Sequence, residues 1–140
     1  MSKVITKNEE ETFRLGKKMG RQCLGGEIFA LYGNLGAGKT KFLQGLADGL
    51  GIKDKVNSPT FNILKIYNSS GKAKIFCHVD AYRLNSGQDL VSLGIEEFFS
   101  SPKTVTAIEW SEKVKDIIPV RAKNIYLKVV SENEREIQLN

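Results

Sequence analysis

Residues 28–40 read Ile-Phe-Ala-Leu-Tyr-Gly-Asn-Leu-Gly-Ala-Gly-Lys-Thr and carry the strongest structural signal in the chain. The first five residues are apolar without alternation, a pattern typical of a strand buried on both faces of a parallel sheet. The next eight match Gly-x-x-x-x-Gly-Lys-Ser/Thr. A helical pattern of apolar residues then runs from Lys39 to about Leu50, with Gly51 as the expected end. Strand, glycine-rich loop and helix in this order predict a P-loop.

The chemistry of such a loop explains its composition. Glycine residues let backbone N–H groups turn inward around an anion, and the following helix directs its unsatisfied N-terminal amides at the same point. Lys39 is then expected to reach the β- and γ-phosphates of a nucleotide, and Thr40 to offer its hydroxyl to Mg²⁺. The predicted phosphate-binding residues are Gly33, Asn34, Leu35, Gly36, Ala37, Gly38, Lys39 and Thr40.

The sequence favours ATP over GTP as the nucleotide. GTPases of the Ras type read guanine with an Asn-Lys-x-Asp element, and the chain contains no such tetrad. ATP is therefore the predicted cofactor, together with Mg²⁺ as the ion that accompanies the phosphates.

Two carboxylates follow apolar strands and are candidates for the magnesium and water-handling chemistry. Asp80 ends the run 75–79, and Glu109 ends the run 105–108. In open α/β sheets ligands gather at the carboxyl ends of the strands, so both side chains are expected to face the γ-phosphate. The alternative is that either carboxylate only caps the turn after its strand.

Three further residues are open to two interpretations each. Thr60, in Ser-Pro-Thr-Phe at 58–61, is either part of a switch segment that senses the γ-phosphate or part of a turn rigidified by proline. His78 is expected to be a sheet residue rather than a catalyst, because no second ligand or nucleophile accompanies it. Trp110 either borders the site or packs in the core.

The overall composition fits a cytosolic globular protein. The chain has 140 residues, and its 21 basic and 16 acidic side chains give a net charge of +5. No apolar run approaches the ~18 residues of a membrane span, and no signal-peptide pattern occurs at the N-terminus. The two cysteines, Cys23 and Cys77, are expected to be buried free thiols. The lysines are scattered, so weak surface basicity is the favoured interpretation.

The remaining segments complete an α/β pattern. After an extended start at residues 4–5, Asn8 is expected to cap a helix that stops at Gly25-Gly26. The other predicted elements are a hairpin of 61–67 and 74–80, a short helix over 88–93, a strand over 104–109, and a closing hairpin of 124–130 and 135–139. Helices between apolar strands predict one three-layer, P-loop NTPase-like α/β domain over residues 1–140. Its central sheet is expected to be mixed and mostly parallel, with a C-terminal β-hairpin.

Taken together, the motifs resemble one known family. They are Gly-Asn-Leu-Gly-Ala-Gly-Lys-Thr at 33–40, Ser-Pro-Thr-Phe at 58–61, His-Val-Asp-Ala-Tyr-Arg at 78–83, Gly-Ile-Glu-Glu-Phe at 94–98 and Glu-Trp at 109–110. Each motif alone is common, but the ordered set is specific and covers nearly the whole chain. It resembles the TsaE (YjeE) family, small bacterial P-loop ATPases that assist the threonylcarbamoylation of adenosine 37 in tRNA.

The resemblance implies roles for individual residues. Residues 33–40 bind the ATP phosphates, Thr40 and Glu109 hold Mg²⁺, and Thr60 and Asp80 match the switch and water-positioning residues of the family. The residues implied as catalytic are thus Asp80, Glu109 and Thr60, whereas Tyr82, Arg83 and Trp110 match positions at the site rim or a docking surface. Two departures are Asn34, where the family often has Asp, and Lys41, where a second Thr is common.

The resemblance also implies partners. In this family the group transfer belongs to TsaD, paired with TsaB, and ATP turnover resets that complex, so tRNA is reached indirectly. Two other functions remain as alternatives: a small-molecule kinase on the same loop, and a non-catalytic ATP-binding adaptor. A kinase generally needs an arginine-bearing lid, whereas this chain has five arginines and no compact helical lid. An adaptor would not require Asp80 and Glu109.

Overall fold

The structure is a computed structural model that describes residues 2–34, 36–57 and 62–140. Strands and helices alternate over most of the chain, as the sequence predicts. In order, they are β1 (Ser2–Thr6), α1 (Glu9–Arg21), β2 (Ile28–Tyr32), α2 (Lys39–Leu50), β3 (Leu64–Asn68), β4 (Ile75–Asp80), α3 (Gln88–Ser92), α4 (Ile95–Ser100), β5 (Thr104–Glu109), 3₁₀ turns at Ser111–Lys113 and Lys115–Ile117, β6 (Lys123–Val129) and β7 (Arg135–Leu139).

The seven strands of the described ranges form one sheet in the order β1-β7-β6-β2-β5-β4-β3. At its centre β6, β2, β5 and β4 are parallel neighbours. The pairs β1–β7, β6–β7 and β3–β4 are antiparallel, so five strands run in one direction and only β3 and β7 run against them. The mixed, mostly parallel sheet and the C-terminal hairpin are therefore confirmed.

Alternating side chains of the central strands build two apolar layers, one on each face of the sheet. On β2, Phe29 joins a core with the α2 residues Phe42 and Leu46, whereas Ile28 joins a second core with Leu90 of α3 and Ile95 of α4. Because neighbouring residues of a strand point to opposite faces, the two cores lie on opposite sides of the sheet. The predicted three-layer α/β architecture is confirmed.

Helices α1 and α2 pack against each other through glycines. A Cβ added at Gly16 would lie 2.2 Å from the carbonyl oxygen of Phe42, and one added at Gly45 would lie 2.0 Å from that of Phe13. The two backbones are thus in direct contact, with no space for a side chain between them. This contact fixes α2, and with it the glycine-rich loop at its N-terminus, against α1.

Besides shifts of one to three residues at other element ends, the helices differ from the sequence prediction in two places. Asn8 caps α1 as expected, accepting a 2.9 Å hydrogen bond from the Glu11 amide, but the helix ends at Arg21 rather than at the glycine pair. Helix α4 was not predicted. It begins just after α3 because Gly94 adopts a left-handed conformation, at φ 85°, in which the chain can turn sharply between two short helices.

The remaining composition-based expectations concern the cysteines and the membrane. Cys23 and Cys77 are both free and buried, as predicted, and burial raises the pKa of each thiol to about 12. None of the helices in the described ranges combines the length and apolar character that crossing a membrane requires.

Candidate functional site

The glycine-rich loop joins the C-terminal end of β2 to the N-terminal end of α2. Gly36 and Gly38 have left-handed backbones, at φ 82° and 96°, and Gly38 is the N-cap of α2. Because Gly38 has no side chain to cap the helix, the first amides of α2 are left to bind an external acceptor. Of the predicted loop residues, Leu35 lies outside the described ranges.

Lys39 points back into the fold rather than into solvent. Its exposed fraction is 5%, its ammonium group donates a hydrogen bond to the Gly33 carbonyl, and its Nζ lies 3.4 Å from the centre of the Trp110 ring. Burial lowers the pKa of Lys39, and the carboxylates of Glu109, Glu112 and Asp80 act in the opposite direction. The lysine is therefore a partly desolvated cation beside the loop, suited to attracting phosphate oxygens.

The two predicted carboxylates lie side by side. Asp80 and Glu109 are register partners at the ends of the parallel strands β4 and β5, and both lie on the α2 side of the sheet. Burial raises the pKa of Asp80, and the charge of Glu109 adds to this, although Asp80 accepts a 3.0 Å hydrogen bond from the Tyr82 amide. Both carboxylates line the cavity described next, and Asp80 also accepts the hydrogen bond from the turn after its strand.

A cavity of about 560 Å³ brings most of these groups together. This volume is in the range of pockets that hold a small molecule or cofactor. Among the predicted site residues, it is lined by Gly36, Gly38, Lys39, Thr40, Asp80 and Glu109. Tyr82 and Trp110, the two aromatic residues of the neighbouring motifs, also contribute.

The cavity is completed by residues that the sequence analysis does not predict as part of the site. They are Glu9, Thr12, Lys41, Glu132, Asn133 and Arg135. Arg135, on β7, donates from Nε to the Gly36 carbonyl at 3.0 Å, and its Nη1 donates to three carbonyls of the preceding turn. It thereby ties the β6–β7 turn to the glycine-rich loop. A lone arginine on a strand near the C-terminus matches no motif, so only the tertiary structure identifies it.

Trp110 forms the rim of the cavity beyond β5. It is the one non-glycine residue in the described part of the chain with a positive φ, 58°. Its ring packs against that of Tyr82 with 5.0 Å between the centroids, and also contacts the core under α3 and α4. Trp110 therefore both borders the site and packs in the core. Arg83 is exposed and outside the cavity lining, and Thr60 lies outside the described residues.

His78 does not line the cavity but is buried next to Glu109, which does. Its Nε2 is 2.8 Å from Oε2 of Glu109, and the two side chains are only 2% and 4% exposed. The sequence prediction that His78 is a sheet residue is correct as to its place, but its bond to Glu109 was not foreseen.

The donor set of the cavity fits a nucleotide-bound magnesium ion. Thr40 supplies a hydroxyl and Glu109 a carboxylate, and both are hard oxygen donors of the kind that Mg²⁺ prefers. Over the described ranges, no group of three or more His, Cys, Asp or Glu side chains is arranged to hold a metal on its own. Mg²⁺ that arrives with a nucleotide needs no such group, since phosphates and water complete its shell.

Comparison with known proteins gives one consistent family. The family model described as "Threonylcarbamoyl adenosine biosynthesis protein TsaE" matches residues 6–137. Two relatives, each called tRNA threonylcarbamoyladenosine biosynthesis protein TsaE, come from Treponema pallidum and Bacillus subtilis. The first is 38% identical over 133 residues, covering 95% of this chain and 96% of the relative. The second is 39% identical over 132 residues, covering 94% and 80%.

The fold has a counterpart among solved structures. The crystal structure of YdiB from Bacillus subtilis superimposes with a TM-score of 0.78 at 32% sequence identity. The match covers 99% of this chain and 83% of that one. This chain is therefore similar to these known proteins in both sequence and fold.

Proposed function

The chain belongs to the TsaE family, and we propose that it binds and hydrolyses ATP in support of the threonylcarbamoylation of adenosine 37 in tRNA. The names of its relatives support the tRNA-modifying role. One observation supports the ATPase role above the others. A phosphate-binding loop, a buried lysine and two strand-end carboxylates line one cavity of about 560 Å³, although they come from three separate parts of the sequence.

Each of these residues has a distinct task in the proposal. The amides of Gly36, Gly38 and the first turn of α2 bind phosphate oxygens, and Lys39 neutralises charge on the β- and γ-phosphates. Thr40 and Glu109 hold Mg²⁺, which, when bound, supplies further neutralisation of the phosphate oxygens. Of the other predicted loop residues, Gly33 accepts the hydrogen bond of Lys39, and Asn34, Leu35 and Ala37 complete the loop.

Asp80 is assigned the role of positioning the attacking water molecule and accepting its proton. Burial and the neighbouring Glu109 raise its pKa, so its carboxylate is a better proton acceptor than an exposed aspartate. It lines the cavity beside Glu109 but comes from the adjacent strand, which separates the two roles in space. Thr60 is proposed as the γ-phosphate sensor on the strength of the resemblance, and Trp110 with Tyr82 shields this end of the cavity from solvent.

The proposal also covers the partners of the protein and its location in the cell. The chain acts as one ATPase domain with TsaD and TsaB, in the cytoplasm where tRNA is modified, and its ATP turnover drives their conformational cycle. Hydrolysis by the protein alone is expected to be slow, because Arg83 lies outside the cavity lining and Arg135 is engaged with backbone carbonyls. An arginine supplied in trans can contribute about 10³-fold or more to phosphoryl transfer.

The test is phosphate release from ATP by the purified protein, alone and with TsaB and TsaD. We expect slow turnover that rises when both partners are added, and that is lost in Lys39→Ala and Asp80→Asn. Lys65→Ala is the matched control, since Lys65 also lies over an aromatic ring, 5.1 Å from the centre of Tyr67, but is exposed on the edge strand β3 and does not line the cavity. Binding of ATP without turnover under any condition would favour the non-catalytic adaptor. Transfer of phosphate to a small acceptor would favour the kinase.

A further inference from the structure

His78 and Glu109 form a buried pair that links two parallel strands behind the cavity. His78 is paired in register with Ala107 of β5, two residues before Glu109, so its ring reaches diagonally across the strands to the carboxylate. The Nε2–Oε2 distance is 2.8 Å, and less than a twentieth of each side chain is exposed. His78 does not line the cavity itself, but its hydrogen bond goes to Glu109, which does.

The direction of this hydrogen bond follows from the chemistry of the two groups. An ionised carboxylate only accepts hydrogen bonds, so Nε2 carries the proton and donates it. The opposite ring nitrogen, Nδ1, is buried and has no hydrogen-bond partner in the described ranges, and the ring stacks on Phe76 with 6.0 Å between centroids. Packing alone would be served better by an apolar side chain, which leaves no polar atom unsatisfied.

We propose that His78 is a positioning residue that fixes the carboxylate of Glu109 in the orientation required for the Mg²⁺ that accompanies ATP. This inference rests on the proposed function. The side chain of a glutamate has three rotatable bonds, and a buried donor on one oxygen restricts them. Groups that orient a metal ligand in this way often matter nearly as much as the ligand itself. The Phe76 ring stacks on the imidazole ring of His78 and restricts its orientation, and His78 in turn restricts the carboxylate of Glu109.

Two amide substitutions separate positioning from packing. In His78→Gln the side-chain amide nitrogen reaches about as far as Nε2, so it can donate to Glu109. In His78→Asn the amide nitrogen reaches only the position of Nδ1 and leaves Glu109 without this donor. The two variants have the same chemical group and differ mainly in reach. Thr106→Val is the control, because it removes a buried hydroxyl from β5 whose oxygen has no partner in the described ranges, on the opposite face of the sheet.

The measurement is the affinity for a non-hydrolysable ATP analogue by calorimetry, with Mg²⁺ and with EDTA. The dissociation constant in EDTA divided by that in Mg²⁺ reports how well Mg²⁺ is held, independently of turnover. We expect His78→Asn to reduce this ratio by ~10-fold or more while changing the EDTA affinity by about twofold or less. His78→Gln and Thr106→Val are expected to keep most of the ratio.

Other results would overturn the inference. An unchanged ratio in His78→Asn would show that Glu109 needs no orientation by His78. Equal losses in His78→Asn and His78→Gln, or failure of both to fold in a thermal melt, would show that His78 acts through packing. If the unsubstituted protein bound no analogue at all, the proposed function would fail and this inference with it, whereas the first three outcomes leave the proposed function intact.

Discussion

The ammonium group of Lys39 lies 3.4 Å from the centre of the Trp110 ring, while its hydrogen bond goes to the Gly33 carbonyl. Trp110 holds this position with a left-handed backbone, at φ 58°, which costs an L-residue about 1–2 kcal/mol and persists only where the surrounding structure imposes it. Strain of this kind concentrates at functional sites. A phosphate that draws Lys39 toward itself would also change the surroundings of the indole ring.

Lys39→Ala is expected to weaken ATP binding by roughly 10- to 100-fold. Among the described loop residues it alone has a cationic side chain, and charged hydrogen bonds to phosphate contribute about 1.5–3 kcal/mol. Calorimetric titration with ATP and Mg²⁺ measures the change, with Lys65→Ala as the control. An unchanged dissociation constant for Lys39→Ala would refute the assignment of the site.

Glu109→Ala is expected to lower turnover more than it lowers nucleotide affinity. Mg²⁺ would keep its phosphate ligands and the Thr40 hydroxyl but lose the carboxylate that orients it. Asp80→Ala should leave the Mg²⁺ dependence of binding unchanged, because Asp80 is assigned to water rather than to metal. Single-turnover hydrolysis and binding measured on the same preparations distinguish the two. A loss of Mg²⁺ dependence in Asp80→Ala equal to that in Glu109→Ala would contradict the separate roles.

The parts of the fold that follow from local pattern were predictable. The apolar run of β2, the spacing of α2 and the cap at Asn8 each require only neighbouring residues to be read. The end of α1 was misplaced because Gly25 serves another purpose: a Cβ there would lie 2.2 Å from the Pro102 carbonyl oxygen. That close approach involves a residue far along the chain, so it cannot be inferred from the glycine itself.

The residues of the candidate site likewise fall into those that the sequence predicts and those that only the structure identifies. The loop and the two strand-end carboxylates have motif or positional signals, and the structure brings them to one cavity. His78 and Glu109 are 31 residues apart, and their contact depends on the β4–β5 register, which a single sequence does not define. The bond from Arg135 to Gly36 spans 99 residues and depends on β6 and β7 packing beside the loop.

Asp80→Asn is expected to raise the free energy of unfolding at pH 7 in the absence of nucleotide. The folded-state pKa of Asp80 lies above its ordinary value of 3.8, chiefly because of burial, so ionisation costs more in the folded than in the unfolded protein. That cost is present in full above the folded-state pKa and disappears as the pH falls below 3.8. The gain from Asp80→Asn should therefore vanish in acid.

Urea denaturation of the unsubstituted protein and of Asp80→Asn between pH 7 and pH 3.5 tests whether the substitution raises the free energy of unfolding and whether the gain vanishes in acid. The Asn side chain can still accept the hydrogen bond from the Tyr82 amide, so the substitution removes the charge and little else. A lower free energy of unfolding for Asp80→Asn at pH 7 would show that the carboxylate stabilises the fold, contrary to the direction of its pKa shift.

Gly45→Ala is expected to destabilise the fold by about 3 kcal/mol, the upper end of the usual cost of overpacking. Its Cβ would lie 2.0 Å from the Phe13 carbonyl oxygen, so α1 and α2 must separate. Gly94→Ala provides the contrast, because its Cβ would meet nothing within 4 Å and only the left-handed φ of 85° is unfavourable, at about 1–2 kcal/mol. Free energies from urea titrations should differ in this order. Equal values would mean that the helices can move apart at little cost.

The isolated protein is expected to bind tRNA only weakly and in a strongly salt-sensitive manner. Its net charge of +5 comes from 21 basic side chains diluted by 16 acidic ones. Sequence-selective RNA modules combine clustered cations with exposed stacking aromatics. Outside the cavity, one partly exposed aromatic pair is the stack Tyr32–Tyr126, whose centroids are 4.7 Å apart, with Lys115 Nζ 5.5 Å from the Tyr32 ring.

One stacked pair with one nearby cation is a small surface for RNA, since stacking gains about 1–3 kcal/mol per base and the two rings already cover each other. Fluorescence anisotropy with labelled tRNA at several salt concentrations, with and without TsaB and TsaD, gives the measurement. We expect affinity at physiological salt only when the partners are present, and no effect of Tyr126→Ala on that affinity. Tight, tRNA-selective binding by the protein alone would make the chain itself an RNA-recognition subunit, and its loss in Tyr126→Ala would locate the RNA on this pair.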